Sequence, residues 1–315
     1  MNRNRPRVSI GMPVYNGENY LDAAIGSILA QTYTDFELII SDNASTDGTR
    51  AICERYAASD PRVRYSRTEK NIGAMRNFNR VFELSSGEYF KWAAHDDLLA
   101  PDFLHQCVEV LDRDPTVVLC YTQTHVIDEH GNYERDYPYN GQFRADSQQA
   151  HERFSQLIDF SHWCIQDFGL IRASALRKTR LYGSYTASDR VLLARLGLLG
   201  RFHEIELPLF QFRRHPQQSI AMVDRGPSLL LYAIWNDPAN ANRILLPIWR
   251  LYAELFKAVR ETPTTPCNTL WCYLALLAWP RRNRQARRMV KDLVIAAALQ
   301  HARHTARRTA ARQAH

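Results

Sequence analysis

Short apolar segments alternate with amphipathic segments over the first part of the chain. The apolar segments have the length of β-strands, and between them apolar residues recur three and four positions apart, which is the spacing of one helix face. The apolar segments are residues 8–12, 35–40, 63–66, 89–93 and 117–121, and the amphipathic ones are residues 20–31, 49–58, 73–85 and 102–112. Strands joined by helix-length crossovers are typical of parallel sheets. The pattern therefore predicts an α/β fold with a doubly wound, mostly parallel sheet.

The pattern weakens after residue 127 and changes again near residue 225. Polar and aromatic residues at 133–149 predict a long loop, and the Ala/Arg-rich end at 301–315 is expected to fray or to be disordered. Ser188 and Asp189 stand where a predicted helix would be capped. The remaining predictions are helices at 150–160, 187–199, 228–235, 239–260 and 270–278 and strands at 168–171 and 209–212. A boundary near residue 225 would separate the α/β part from a helical, Trp-rich extension.

The positive charge is concentrated at the carboxyl end. The 315 residues carry a formal net charge of +7, but residues 281–315 contain ten Arg or Lys and one acidic residue and so carry +9. Two interpretations of the extension stay open. Its apolar helices and arginines lie in a membrane interface, or they pack on the rest of the chain or on a second copy. No nucleic-acid-reading motif accompanies the arginines, so nucleic acid is not an expected partner.

The cysteines and the amino-terminal residues predict a reducing compartment. Six cysteines are scattered without a Cys-x-x-Cys pair, and residues 1–7 have no apolar core behind them. Scattered cysteines in apolar segments are typical of small core residues, and no window reaches the roughly 18 apolar residues of a spanning helix. We expect a cytoplasmic protein, either free or peripheral on the inner face of the cytoplasmic membrane.

Two adjacent carboxylates follow the strand predicted at 89–93. Asp96 and Asp97 fall at the carboxyl end of that strand, where open α/β sheets bind ligands. Their mutual repulsion favours a divalent cation, Mn²⁺ or Mg²⁺, which often shares its ligands with phosphates. The alternative is an acidic turn before a helix. Neither a Gly-x-Gly-x-x-Gly motif nor a Gly-Lys-Ser/Thr loop is present, which disfavours dinucleotide and P-loop sites.

Four motifs in order resemble those of family 2 inverting glycosyltransferases with the GT-A fold. They are Met-Pro-Val-Tyr-Asn at 12–16, Ile-Ser-Asp-Asn-Ala-Ser-Thr-Asp-Gly at 40–48, Ala-His-Asp-Asp at 94–97 and Ala-Ser-Asp at 187–189. The resemblance covers residues 7–219. The Gln-x-x-Arg-Trp motif of processive members is absent, and residues 211–215 resemble the Arg-x-His loop of non-processive bacterial members. The resemblance therefore implies transfer of a single sugar.

The resemblance assigns a donor site to residues that are far apart in sequence. Asp42 would accept a hydrogen bond from the nucleotide base, Tyr15 would lie against that base, and Arg76 and Arg214 would reach the diphosphate. A local turn for Asp42 and a solvated helix position for Arg76 are the alternatives. The implied nucleotide-sugar-binding residues are Pro13, Val14, Tyr15, Asn16, Asp42, Asn43, Arg76, Asp96, Arg214 and His215.

The resemblance also implies a metal site and a catalytic base. Asp97 and His215 would bind the divalent cation, whereas His95 is more typical of a packing residue. Asp189 would accept the proton of the acceptor hydroxyl, with helix capping as the alternative. A Ser-His-Asp nucleophile is disfavoured because no Gly-x-Ser-x-Gly motif is present.

The expected protein is a metal-dependent inverting glycosyltransferase. Residues 1–225 would form the GT-A catalytic domain, with a nucleotide-sugar half at 7–125 and an acceptor half at 126–225, and residues 226–315 would form the extension. The donor would be a nucleotide-sugar, with a UDP-sugar favoured, and the acceptor a glycan or a lipid-linked saccharide. A sugar-1-phosphate nucleotidyltransferase and a non-catalytic nucleotide-sugar-binding scaffold at the membrane are the alternatives. The oligomeric state stays open.

Overall fold

The structure, a computed structural model, describes residues 5–137, 145–159, 164–218, 236–243 and 245–313. The predicted helix at 228–235 and the predicted boundary near residue 225 lie outside these residues.

The first half of the sheet is parallel, as predicted. Its four strands are β1 (Val8–Val14), β2 (Phe36–Asp42), β3 (Val63–Arg67) and β4 (Tyr89–Trp92), which pair in the order β3-β2-β1-β4. The connecting helices are α1 (Leu21–Leu29), α2 (Thr49–Ser59) and α3 (Ala74–Glu83). Every residue of β1 and β2 is buried, because helices cover both faces of a parallel sheet. This burial explains why the two strands are nearly continuous apolar segments.

The second half of the sheet is mixed. Helix α4 (Phe103–Arg113) leads into β6 (Val117–Ile127), which pairs in parallel with β9 (Arg201–Arg213). The short strand β8 (Leu170–Arg172) lies between β4 and β6 and is antiparallel to both. Two further strands, β5 (Leu98–Leu99) on β9 and β7 (Tyr133–Asp136) on β6, are also antiparallel. The doubly wound character is thus confined to the first half.

Several boundaries differ from the sequence predictions. Strands β6 and β9 are longer than predicted, and β7 lies inside the predicted loop at 133–149. The strand predicted at 168–171 is present as β8 but begins two residues later, because a 3-10 turn at Ile165–Phe168 precedes it. Helix α5 (Ala150–Asp159) and the short helix α6 (Ala173–Leu176) flank this region.

The carboxyl-terminal helices pack on the α/β part. They are α8 (Pro247–Glu261), α9 (Pro266–Ala278) and α10 (Gln285–Gln313), with 3-10 turns at Pro238–Asn242 and Trp279–Arg284. Leu255, Leu276 and Trp279 join Phe154 of α5 in one buried cluster. The predicted helix at 239–260 is wrong in its first part, because α8 begins at Pro247, where proline favours a first helical turn. Disorder from residue 301 is not what the structure gives as far as Gln313, where α10 ends, and residues 314–315 lie outside the described residues.

Candidate active site

A cavity of about 960 Å³ opens at the carboxyl ends of the parallel strands. Its walls come from the loop after β1, the loop after β4, the start of helix α7 (Ser188–Leu199) and the residues that follow β9. The cavity brings together nine of the twelve predicted site residues. These are Pro13, Val14, Tyr15, Asn16, Asn43, Asp96, Asp97, Asp189 and His215.

Asp96 and Asp97 are held by the strand that runs beside them. The backbone N–H of Arg213 donates to Asp97 Oδ1 at 2.9 Å, and the Arg213 Nε donates to the backbone oxygen of Asp96 at 2.8 Å. His215 Nε2 lies 2.9 Å from Asp96 Oδ2, with the two side chains only 4% and 15% exposed. The end of β9 therefore fixes both carboxylates at the cavity wall.

The two carboxylates have opposite pKa shifts. Burial, reinforced by the charge of Asp96, raises the pKa of Asp97 well above its usual value. Burial acts in the same direction on Asp96, but the electrostatic effect of His95 and the hydrogen bond with His215 outweigh it and lower the pKa of Asp96. Two buried carboxylates cannot both ionise without a compensating cation, so the pair is suited to sharing a positive charge.

A divalent cation fits this pair only if other ligands complete its coordination. Within the described ranges, no group of three or more His, Cys, Asp or Glu side chains is placed to hold a metal ion. His215 Nδ1 is buried without a hydrogen-bond partner in the described part of the chain, and His215 Nε2 is already engaged by Asp96. One or two carboxylates with phosphate and water as further ligands is a common arrangement for Mg²⁺. The residues present match that arrangement.

Asp189 lies in the first turn of α7, across the same cavity. It is half-buried, and its Oδ1 accepts from the N–H of Arg190 at 2.7 Å. The predicted capping by Ser188 and Asp189 is wrong. The capping residue is Ala187, with φ of 63°, and it makes no side-chain hydrogen bond to the helix, while Ser188 Oγ contacts Met75 Sδ at 3.5 Å. Asp189 therefore does not occupy the capping position, although its carboxylate accepts a first-turn N–H of α7.

Asp42 lies behind the cavity wall rather than on it. Its side chain is fully buried, and it accepts hydrogen bonds from Tyr65 Oη, Arg67 Nη1 and the Ser45 N–H at 2.8–2.9 Å. The neighbouring Asn43 lines the cavity instead. The bond to Ser45 matches the local turn that the sequence left open as an alternative. Base recognition by Asp42 stays a prediction.

Arg76 and Arg214 also lie outside the residues that line the cavity. Arg76 is 62% exposed, with Nη2 3.8 Å from Asp237 Oδ2. Arg214 Nη1 lies 3.5 Å from Glu134 Oε2, and its side chain is half exposed. Contact of either arginine with a diphosphate would require the side chain to leave its present partner, and both roles stay predictions.

Sequence reasoning missed two buried ionisable residues below the cavity. Asp167 lines it, accepts from Tyr182 Oη at 2.7 Å and has a buried Oδ1 without a partner among the described residues. Burial and the charge of Asp189 raise the pKa of Asp167 well above its usual value. Lys91, in the middle of β4, is fully buried between the rings of Phe103 and Phe210. The position of Lys91 inside the apolar segment at 89–93 was a visible signal in the sequence. No sequence pattern marked Asp167.

The fold is the GT-A fold, which two solved structures share. TarS from S. aureus, in complex with UDP-GlcNAc, shares the fold with a TM-score of 0.63 at 14% identity over 92% of this chain and 80% of that chain. The mannosyltransferase PcManGT from Pyrobaculum calidifontis, in complex with GDP-Man and Mn²⁺, has a TM-score of 0.53 at 20% identity over 93% of this chain and 86% of that chain.

The chain belongs to glycosyl transferase family 2, whose family model matches residues 9–180, more than half of the chain. A chondroitin synthase from Escherichia coli is 37% identical over 40% of this chain and 18% of its own length. An uncharacterized glycosyltransferase from Rickettsia conorii is 39% identical over 40% of this chain and 20% of its own length. The chain thus spans about a fifth of the length of these relatives.

Proposed function

We propose that the protein transfers a single sugar from a nucleotide-sugar, with a UDP-sugar favoured, to a glycan or lipid-linked saccharide, with inversion at the anomeric carbon. The observation that carries this proposal is the shared cavity. Asp97 and Asp189 line the same space of about 960 Å³, which is within the range of small-molecule sites. One carboxylate is available for the donor diphosphate and its counterion, and the other for the acceptor hydroxyl.

The donor half of the cavity would be formed by the loops after β1 and β2. Tyr15 is 45% exposed, so its ring is free to stack on a base, and Asn43 is fixed by bonds to Asn71 and Ile72 at 2.8–3.0 Å. The structural neighbours TarS and PcManGT bind UDP-GlcNAc and GDP-Man, which supports a nucleotide-sugar donor without choosing the base.

A divalent cation would be held by Asp97, with Asp96 and His215 beside it. When bound, such an ion stabilises the negative charge that develops on a departing diphosphate. The mannosyltransferase neighbour contains Mn²⁺, which supports this assignment. Arg213 would keep the pair in place through its hydrogen bonds to the Asp97 carboxylate and to the Asp96 backbone oxygen, and His215 would orient the Asp96 carboxylate.

Asp189 would act as the general base. The acceptor oxygen forms a bond to the anomeric carbon as the bond from that carbon to the diphosphate oxygen breaks, and the hydroxyl proton passes to Asp189. Attack from the face opposite the diphosphate inverts the configuration. A carboxylate is a sufficient base because the hydroxyl becomes acidic late in the transfer. The position of Asp189 on the cavity wall, across from Asp97, supports this role.

Thermal unfolding with a panel of nucleotides tests the proposal. Ligands that bind the native state raise the melting temperature, so UDP or UDP-sugars with Mn²⁺ should raise it and the metal alone should raise it less. NMR of the product then gives the anomeric configuration. No shift with any nucleotide in Mn²⁺ or Mg²⁺ would contradict the donor site. Retained configuration would contradict direct displacement, and release of pyrophosphate from a nucleoside triphosphate would favour the nucleotidyltransferase.

A membrane surface is a further partner that we propose for the extension. Among the described residues, no helix is long and apolar enough to cross a membrane. However, Leu270, Trp271, Leu274 and Leu277 of α9 are 43–64% exposed on a helix followed by the exposed Arg281 and Arg282. An apolar helix face beside arginines suits the interface of an anionic bilayer.

Sedimentation with vesicles that contain an anionic lipid tests this surface. The double substitution Trp271→Glu and Leu274→Glu should abolish binding. The control Leu207→Glu, at a residue 48% exposed on β9, should retain it. Equal binding by both variants would contradict the proposal. A concentration-dependent dimer that only the double substitution disrupts would assign the face to a second copy.

A further inference from the structure

A second cavity, of about 660 Å³, lies between the α/β part and helix α8. Residues 180–185 form one side of it, and residues of the Pro238–Asn242 turn and of α8 form the other. Four arginines line this second cavity, which we call the arginine cavity, together with a single carboxylate. They are Arg180, Arg195, Arg243 and Arg250, and the carboxylate is that of Glu254.

The charge around this cavity is not balanced by the described residues. Glu261 forms ion pairs with three guanidinium groups, at N–O distances of 2.7 Å to Arg180, 2.8 Å to Arg195 and 3.6 Å to Arg260. Glu254 forms ion pairs with Arg250 and Lys257, at N–O distances of 2.9 Å and 2.8 Å.

Arg243 adds a sixth positive charge. It is exposed and has no carboxylate partner in the part of the chain that the structure describes. Five cationic side chains therefore share two carboxylates, Arg243 pairs with neither of them, and four of these six cations line the cavity. Guanidinium groups have planar pairs of donors that match phosphate oxygens, so a bound phosphate would relieve this imbalance.

The cavity also has an aromatic wall. Trp249 is 40% exposed, and its Nε1 donates to the Met289 backbone oxygen at 3.0 Å, which fixes the indole ring. Arg250 lies over the ring of Tyr185, 5.4 Å from its centroid. A rigid aromatic surface beside guanidinium groups suits a ligand with a ring and a phosphate. The volume leaves room for a sugar as well as the phosphate.

One chain segment connects the two cavities. Residues 183–185 line the arginine cavity, and residues 186–189, including Asp189, line the larger cavity. A saccharide held by its phosphate in the arginine cavity would therefore lie beside the segment that carries Asp189.

We propose that the arginine cavity binds the phosphate group of a phosphorylated saccharide. That this saccharide is the acceptor of the transferase rests on the proposed function, whereas the phosphate site itself does not. Arg243 and Arg250 would contact the phosphate directly, and the buried Arg195 would contribute from the floor of the cavity.

Isothermal titration of the full chain with glucose 6-phosphate, in the presence of a chelator, tests the site. Wild type should bind glucose 6-phosphate and should bind glucose at least ten-fold more weakly. Arg243→Glu and Arg250→Gln should each weaken binding of the phosphate about ten-fold or more. The control Arg113→Glu, at a residue 69% exposed on α4, makes the same charge change as Arg243→Glu and should have no effect.

Asp97→Asn separates this site from the donor cavity and should leave binding of glucose 6-phosphate unchanged. Four results would each overturn the proposal. Wild type does not bind glucose 6-phosphate, or it binds glucose equally well. Alternatively, Arg113→Glu weakens binding as much as Arg243→Glu does, or Asp97→Asn abolishes it. None of these results bears on sugar transfer, so the phosphate site and the transferase can fail separately.

Discussion

Lys91 gives the sharpest quantitative prediction of the structure. Its ammonium group is fully buried on β4, donates to the Phe168 backbone oxygen and lies 4.6 Å and 5.2 Å from the ring centroids of Phe103 and Phe210. Burial lowers the pKa of Lys91 from 10.5 to about 8, although the charges of Cys107, Asp97 and Asp167 act in the opposite direction. The perturbation that we consider is Lys91→Met, which keeps most of the volume and removes the charge.

The sign of the effect follows from which state binds the proton more tightly. Between pH 8 and 10.5 the unfolded chain keeps the proton of Lys91 and the folded chain releases it, so the free energy of unfolding of wild type rises with pH. At about 1.4 kcal/mol for each unit of pKa, the full effect is about 3 kcal/mol. From pH 7 to pH 10 we expect roughly 2–3 kcal/mol of it.

Urea unfolding of both proteins at pH 7 and pH 10, with a chelator present, measures this effect. Groups that do not interact with Lys91 titrate alike in both proteins and cancel in the comparison. Lys91→Met should be more favourable relative to wild type at pH 7 than at pH 10, by roughly 2–3 kcal/mol. An equal difference at the two pH values would refute the depressed pKa, whatever the absolute stability of the variant.

Three further substitutions test the packing and the ion pairs. Leu255→Ala, at a fully buried position of α8, should lower the free energy of unfolding by about 2–5 kcal/mol in urea unfolding. A loss of less than ~1 kcal/mol would contradict packing of α8 on the α/β part. Arg7→Ala should cost about 1 kcal/mol or less, and less in high salt, because Arg7 pairs with exposed Glu88 and Asp112. Asp167→Ala should cost ~1–3 kcal/mol in urea unfolding because the Tyr182 hydroxyl loses its acceptor. Asp167→Asn should cost less, because the amide oxygen still accepts from Tyr182 and burial already disfavours the charged carboxylate. Equal losses in the two variants would contradict this role of Asp167.

The parallel half of the fold was predictable because burial imposes a visible pattern. Strands β1 and β2 are buried at every position, so they are apolar segments bounded by polar turns. The helices between them were predicted from the spacing of residues such as Leu21, Ile25 and Ile28 on the buried face of α1. The structure confirms this alternation.

The mixed half was predicted less well, for a physical reason. Strand β5 has two residues and β8 has three, which is too short for any periodic pattern. Strand β9 is only partly buried, and its polar residues hide it in the sequence except at its apolar end. Pairing between β4, β8 and β6 depends on contacts distant in sequence, which local patterns do not contain.

In the candidate site, too, some features could be predicted from sequence motifs and others depend on tertiary packing. The sequence motifs predicted that Asp96, Asp97, Asp189 and His215 would meet, and they line one cavity. The motifs could not give the direction of the Asp42 side chain, because that direction depends on Arg67 and Tyr65 of β3. Asp167 could not be found, because its burial depends on the packing of Tyr182 against the sheet.

The central claim is that Asp97 serves the donor and Asp189 serves the acceptor within one cavity. Titration calorimetry with the nucleotide identified by thermal unfolding, together with a transfer assay, compares Asp97→Asn and Asp189→Asn in Mn²⁺. Asp97→Asn should lose metal-dependent nucleotide binding and transfer together. Asp189→Asn should bind the nucleotide like wild type and lose transfer by a factor of ~100 or more. Transfer at the wild-type rate by Asp189→Asn would contradict its role as the base.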